Sequence, residues 1–239
     1  MRAALLLAAV ACAAGCGGDG TGDEPLTVFA AASLTEVFQG LAPDARFNFA
    51  GSDELATQLR EGARADVYAA ASPRYPTELH EEGLVQQPRM FATNRLVIVV
   101  PDENRAGIES LGDLEQRRVK LVIGAEGVPI GEYTRAVLGS AGRIGVLKSV
   151  VSEEEDVKGV LGKVRLGEAD AGFVYATDAR AAGSAVRTIE LPSAIQTEVR
   201  YPAAVVGSTS RQEDAEEFVS LLLSPRGQKL LREAGFAPP

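Results

Sequence analysis

Short apolar runs typical of β-strands alternate with amphipathic segments typical of helices along most of this 239-residue chain. The strand-type runs lie at 26–30, 47–50, 67–70, 96–100, 120–124, 145–151, 172–175 and 203–206. The helical segments lie at 35–41, 55–61, 73–82, 132–140, 156–165, 213–223 and 225–234. Several runs are apolar at every position, as in strands covered on both faces. The alternation predicts an α/β fold with mostly parallel sheets.

Two breaks in this pattern divide the chain. The first is VPDEN at 100–104, and the second is RYP at 200–202, where the chain enters the last strand-type run. Two crossings of this kind favour two lobes joined by a hinge around a cleft. We expect residues 26–101 and 202–239 to form lobe 1 and residues 102–201 to form lobe 2.

The N-terminal segment has the layout of an export signal. One basic residue precedes an apolar run that is too short to span a bilayer and that ends in small residues. The stretch AAGC at 13–16 resembles a bacterial lipobox, in which the cysteine, here Cys16, is lipidated. The alternative is plain secretion with cleavage near Ala14. We therefore predict a signal peptide at 1–15, a Gly/Asp-rich tether at 16–25, and an exported protein that is either periplasmic or a lipoprotein on the outer face of the cytoplasmic membrane.

The net charge and the positions of the cysteines restrict the possible partners and the way in which the exported domain is stabilised. The chain has 24 basic and 33 acidic residues, a net charge of −9, and loss of the signal removes one more positive charge, Arg2. This balance argues against nucleic acid as a partner and against a purely cationic trap for anions. Both cysteines lie in the N-terminal segment, so the exported domain has no disulfide and depends on a large hydrophobic core.

Two segments share one design, in which an apolar strand runs through small residues into a serine before a helix. They are LTVFAAASLTE at 26–36 and FNFAGSDELATQL at 47–59, with Ser33 and Ser52 at the positions expected of helix N-caps. A hydroxyl beside the N–H groups of a helix start can bind an anion without any charged residue. An ordinary pair of N-caps is the alternative interpretation. The pattern favours a protein that holds a small oxyanion.

A set of motifs then resembles one known family. VFAAASLTEVF, FAGSDELATQL and GARADVYAAAS are followed in order by RLVIVVP, EGVPIGEY, EEDVKGVL, GFVYATDA and RYPAAVV. The set is similar to the molybdate-binding proteins that serve ATP-driven bacterial importers, and it spans nearly the whole exported chain. The resemblance implies a two-lobed, type II periplasmic-binding-protein-like fold that closes on a tetrahedral oxyanion.

The resemblance also implies a ligand site. Ser33 in AAASL and Ser52 in FAGS supply hydroxyls from lobe 1. Ile130 in VPIGEY and Val157 in EDVKG supply backbone N–H groups from lobe 2, and Tyr175 in GFVYATDA supplies a phenol hydroxyl. The family often has alanine at the position of Ile130, where a larger side chain could alter packing.

Ordinary structural roles remain open for these residues. The acids before Val157 suit a helix start, with Asp156 as its cap, and Tyr175 suits a core position. Asp53, next to Ser52, suits a helix cap, and its carboxylate would oppose an anion unless it points away.

The sequence thus predicts a receptor that captures molybdate and tungstate by hinge closure and delivers them to the membrane permease of an ABC importer. It is expected to be a monomer, to need no cofactor, and to coordinate no metal directly, because the oxyanion is held through its oxygens. The alternatives are a receptor for another oxyanion such as sulfate, or an exported hydrolase using Ser33. An enzyme is not expected, because no metalloprotease, GxSxG or phosphate-loop motif is present and the single histidine, His80, lies on a polar helical segment.

Overall fold

The computed structural model describes residues 24–116 and 118–239. The predicted signal peptide, Cys16 and most of the predicted tether lie outside the described residues. The strands are β1 Thr27–Ala31, β2 Arg46–Ala50, β3 Val67–Ala69, β4 Arg89–Asn94, β5 Leu96–Pro101, β6 Leu121–Gly124, β7 Val150–Glu154, β8 Ala171–Tyr175, β9 Val186–Glu190 and β10 Val199–Val205. The helices are α1 Thr35–Leu41, α2 Ser52–Arg60, α3 Arg74–Glu81, α4 Pro129–Ser140, α5 Val157–Arg165, α6 Ala176–Ala182, α7 Gln212–Leu223 and α8 Pro225–Ala234.

The strands form two five-stranded sheets built on the same plan. The first has the order β2-β1-β3-β10-β4 and the second the order β7-β6-β8-β5-β9. In each sheet, three strands run parallel and end at the cleft between the lobes. The other two strands of each sheet, β4 and β10 in the first and β5 and β9 in the second, are joined to it by antiparallel pairings. The predicted two-lobed α/β fold is confirmed.

The sheets are mixed, whereas the sequence predicted mostly parallel ones. The reason lies in the two strands that receive the chain from the other lobe. β5 begins at the lobe boundary directly after β4, and β10 begins there after the chain leaves β9. Both start at the cleft end of their sheet, so they run opposite to the strands that end there.

The crossings between lobes also differ from the predicted boundaries. The first crossing is Arg95, the single residue between β4 and β5. Residues 96–101, assigned to lobe 1 from the sequence, therefore pair within the second sheet, and β10 begins in the first sheet at Val199, before the predicted boundary at 202. The VPDEN break that suggested the boundary consists of the last two residues of β5 and the turn that follows, at the end of β5 away from the cleft. The side chain of Gln196 joins the two crossings, since its amide bonds both the N–H and the carbonyl of Leu96 (3.2 and 2.7 Å).

Each lobe is covered by helices over an apolar sheet. β5 shows this best, because its residues from Leu96 to Val100 are fully buried, as expected of a strand covered on both faces. The predicted strand at 145–151 is a 3₁₀ turn as far as Ser149, and β7 begins only at Val150. Among residues 24–116 and 118–239, no helix combines the length and apolarity that a membrane span requires.

Candidate functional site

The two serines lie where β1 and β2 reach the cleft, but neither is a helix cap. Ser33 lies within the 3₁₀ turn Ala32–Leu34, and the Ser33 hydroxyl is 3.0 Å from that of Tyr201. Ser52 is the first residue of α2, after Gly51 at the N-cap, and the Ser52 Oγ accepts a hydrogen bond from the Ala71 N–H (3.0 Å). The N-cap prediction is therefore wrong for both, because each hydroxyl turns to a group from a distant part of lobe 1.

Ile130 lies in the first turn of α4, which begins at Pro129. N–H groups in the first turn have no partner within their helix, so the Ile130 N–H is available to a ligand. The Ile130 side chain is buried, and its Cγ2 lies only 2.6 Å from where a Cβ on Gly124 would stand. The absent side chain of Gly124 thus makes room for an isoleucine, whose bulk packs on β6.

Val157 is the first residue of α5, and the residue before it caps the helix. The Asp156 Oδ1 accepts the N–H of Gly159 at 2.8 Å. The predicted capping role of Asp156 is confirmed. Because this carboxylate oxygen is engaged with the helix, the Val157 N–H remains available to a ligand.

Tyr175 ends β8 and is 2% exposed. Burial raises the pKa of its hydroxyl well above the ordinary value, so the phenol keeps its proton and can donate it. The Tyr175 ring meets the edge of Tyr201 with 6.0 Å between centroids. Sequence reasoning did not identify Tyr201, because nothing in RYPAAVV distinguishes it from a core tyrosine.

All five residues predicted as ligand donors line one cavity between the lobes. The other lining residues are mostly small or apolar: Ala31, Ala32, Ala50, Gly51, Ala71, Val128, Pro129 and Asp156. The cavity volume is about 20 Å³, above the roughly 10–15 Å³ that one water needs. Among the described residues that line it, none is basic, and the one acid is the helix cap. The site offers hydroxyls and N–H groups to a compact, hydrogen-bond-accepting solute.

Asp53 and His80 do not line this cavity. Asp53 projects toward the backbone of Gly51, and burial raises the pKa of its carboxyl. His80 lies near the end of α3, where its Nδ1 is 3.0 Å from the Val85 carbonyl oxygen. The arrangement therefore places no histidine beside Ser33.

Contacts across the cleft hold the lobes together around the cavity. The Tyr75 hydroxyl donates to the carbonyl of Gly127. Arg74 pairs with Glu132 at 3.0 Å, and Lys158 pairs with Glu36 at 2.8 Å. The structure is thus a closed arrangement of the two lobes.

Two lobes, a two-crossing hinge and a donor-lined cavity between the lobes define a solute-binding protein of the periplasmic type. The chain belongs to the family of bacterial extracellular solute-binding proteins, whose profile matches residues 26–237. It is 37% identical over 228 residues to the "Molybdate-binding protein ModA" of Mycobacterium tuberculosis, covering 91% of this chain and 86% of the relative. It is 29% identical to the protein of the same name from Haemophilus influenzae, with 89% of each covered.

Two solved structures show the same fold. The Azotobacter vinelandii periplasmic molybdate-binding protein superposes with a TM-score of 0.80 at 21% identity, covering 90% of this chain and 99% of the other. The sulfate-binding protein SubI of M. tuberculosis superposes with a TM-score of 0.77 at 16% identity, covering 90% and 87%. At these identities the likeness concerns the fold and leaves the bound ion open.

Proposed function

We propose that this protein captures molybdate, and also tungstate, by closure of its two lobes. The observation that carries the proposal is the small cavity between the lobes, lined from both lobes by hydroxyls and helix first turns and by no basic side chain. The 37% identity to a protein named for molybdate binding supports the choice of ion.

Each proposed ligand residue acts as a hydrogen-bond donor. Ser33 and Ser52 receive the oxyanion in the open form, and closure adds the N–H groups of Ile130 and Val157 and the hydroxyl of Tyr175. A hydrogen bond to a charged group contributes about 1.5–3 kcal/mol, and exclusion of water from the cleft strengthens it. Five such donors suffice to hold a dianion without a basic residue.

The same donor set accounts for selection among oxyanions. Molybdate, tungstate and sulfate carry no proton at neutral pH, whereas phosphate carries one that needs an acceptor. A buried polar group without a partner is costly, so we expect phosphate to be rejected. Sulfate is excluded by its smaller size.

The loaded protein delivers its ion to the membrane permease of an ABC importer. It acts as a monomer, without a cofactor, without direct coordination of a metal and without nucleic acid. Cys16 carries a lipid anchor, or the protein is secreted free. A hydrolytic role for Ser33 is disfavoured, because His80 does not reach the cavity.

Thermal unfolding of the exported domain with molybdate, tungstate, sulfate or phosphate tests the proposal. A ligand at about a hundred times its dissociation constant adds roughly 2.7 kcal/mol to the free energy of unfolding, which raises Tm by several degrees. Stabilisation by molybdate and tungstate alone is expected. Stabilisation by sulfate alone would assign a different cargo, and no effect of any oxyanion would refute the proposal.

A further inference from the structure

Tyr68, the middle residue of β3, contacts one of the proposed ligand residues without lining the cavity itself. Its side chain is fully buried, and its hydroxyl donates to the backbone carbonyl oxygen of Ser52 at 2.6 Å. The direction of this hydrogen bond is fixed, because a carbonyl oxygen can only accept. Burial raises the pKa of the Tyr68 hydroxyl well above its ordinary value, so the phenol keeps the proton that it donates.

A second hydrogen bond from the same segment holds the Ser52 side chain. The N–H of Ala71, shortly after the end of β3, donates to the Ser52 Oγ at 3.0 Å. A backbone N–H can only donate, so the direction of this hydrogen bond is fixed as well. The Ser52 hydroxyl keeps its own proton, which it can donate to a ligand. The segment from Tyr68 to Ala71 therefore holds both the backbone and the hydroxyl of Ser52 at the wall of the cavity.

Both hydrogen bonds lie within lobe 1. β3 belongs to the first sheet, and Ser52 begins α2, which follows β2 of the same sheet. Since neither bond crosses the cleft, we expect both to be present before the lobes close. A donor that is held in place before the ion arrives loses less freedom on binding, and this preorganisation favours affinity.

We propose that Tyr68 is a positioning residue of the oxyanion site, which holds Ser52 where its hydroxyl can donate to the bound ion. The inference rests on the proposed function and adds to it a residue that lies outside the cavity. Without the phenol hydroxyl, the Ser52 carbonyl loses its partner on β3, and the first residue of α2 can shift relative to the cavity wall. A displaced donor makes a weaker hydrogen bond to the ion, because the strength of the bond depends on distance and angle.

A double-mutant cycle on Tyr68→Phe and Ser52→Ala tests the inference in the exported protein. Isothermal titration with molybdate gives the affinity of the wild type, the two single variants and the double variant. We expect Tyr68→Phe to weaken binding about fivefold, equivalent to about 1 kcal/mol, when the Ser52 hydroxyl is present. In the Ser52→Ala background the same change should weaken binding by less than about twofold. A merely structural role of Tyr68 would instead lower the affinity by the same factor in both backgrounds.

Tyr201→Phe is the matched control. Tyr201 is also fully buried in lobe 1, but its hydroxyl lies 3.0 Å from that of the other serine, Ser33. The change in molybdate affinity that Tyr201→Phe causes should therefore be the same, within about twofold, with and without the Ser52 hydroxyl. The control separates a specific action on Ser52 from the general effect of removing a buried phenol hydroxyl from this lobe.

The outcomes distinguish the inference from the proposed function. Equal weakening by Tyr68→Phe in both backgrounds, or no weakening in either, overturns the inference while leaving molybdate binding, and so the proposed function, intact. Loss of the Tyr201→Phe effect in the Ser52→Ala background would also overturn it, because the coupling would then not be specific to Tyr68. A wild-type protein that binds neither molybdate nor tungstate refutes the proposed function instead.

Tyr68→Met provides a second variant if thermal unfolding shows that Tyr68→Phe is not folded at the temperature of the titration. Methionine also lacks the hydroxyl donor, and its flexible side chain fills irregular space in a core. The cycle of Tyr68→Met with Ser52→Ala should show the same dependence on the Ser52 hydroxyl. Equal weakening in the two backgrounds would again overturn the inference.

Discussion

Gly51→Ala should hinder closure of the two lobes without disturbing the fold of either lobe. Gly51 is the N-cap of α2 with φ −59° and ψ 140°, a conformation that alanine adopts without strain. In the closed structure, however, its added Cβ would lie 2.6 Å from the carbonyl oxygen of Glu155 in lobe 2. Ordinary contact begins at 3.4 Å, so the shortfall, 3.4 less 2.6, is about 0.8 Å.

The free-energy cost of this clash depends on which of the contacting atoms can move. The other close atom, the Asp53 Oδ1 at 2.7 Å, belongs to a side chain that can rotate away, but the Glu155 oxygen is backbone and yields only if the lobes part. Overpacking of this kind costs about 1–3 kcal/mol. Because the cost falls on the closed form alone, molybdate affinity should drop roughly 5- to 150-fold.

Calorimetric titration with molybdate measures the affinity, and thermal unfolding without ligand checks the fold. The control is Gly162→Ala in α5, where a Cβ would meet no atom within 4 Å. This control should keep the wild-type affinity and gain up to about 1 kcal/mol of stability, since alanine is the better helix former. Wild-type affinity in Gly51→Ala would show that binding does not need the lobes to approach this closely.

Three further predictions concern the donors, a buried acid and a surface ion pair. Ser33→Ala and Tyr175→Phe should each weaken molybdate binding about tenfold or more in calorimetric titration, and wild-type affinity in both would refute the site. Tm in the absence of ligand should change little in Tyr175→Phe and fall by a few degrees in Ser33→Ala, which removes the partner of the buried Tyr201 hydroxyl. Burial raises the pKa of Asp178 to about 6, although Lys158 acts to lower it. The folded state thus holds this proton more tightly than the unfolded state, so the stability contribution of Asp178 should fall as pH rises from about 4 to about 6. Urea unfolding across this pH range measures the free energy of unfolding, and Asp178→Asn should remove the part of its fall with pH that Asp178 contributes. The same pH profile in the variant and the wild type would contradict this prediction. Arg74→Gln breaks exposed pairs with Glu132 and Glu78 and should change the free energy of unfolding by less than about 1 kcal/mol, as denaturant titration can check; a larger loss would show a structural role for Arg74.

Part of the candidate site could be predicted from local sequence. The two serine segments follow from an apolar strand, small residues and a helix start within a few neighbours along the chain, whereas Ile130, Val157 and Tyr175 were expected from the family resemblance. Ser33, Ser52, Ile130, Val157 and Tyr175 were predicted from such segments together with a family resemblance, and the structure brings all five to one cavity. Their role as ligands remains a prediction for the substitutions to test.

The hinge was harder to predict because the residues at a lobe boundary need not differ in type from those of the strands on either side. Arg95 is the single residue between β4 and β5, and both of these segments look like ordinary strands in the sequence. The stretch at 100–104 suggested a lobe boundary but is the end of β5 and the turn that follows it. Pairing partners decide to which lobe a strand belongs, and strand pairing is not encoded in the strand alone.

The sequence by itself determined the alternation of strands and helices, the α/β class and the two serine segments, because each depends on residues close together in the chain. Only the tertiary structure decided the mixed sheets, the crossing at Arg95 and the contact between the Ser33 and Tyr201 hydroxyls. Ser33 and Tyr201 lie 168 positions apart along the chain, and the Asn94 amide donates to the Thr177 hydroxyl 83 positions further on. Such contacts form only when distant segments pack together, so a local sequence pattern cannot predict them.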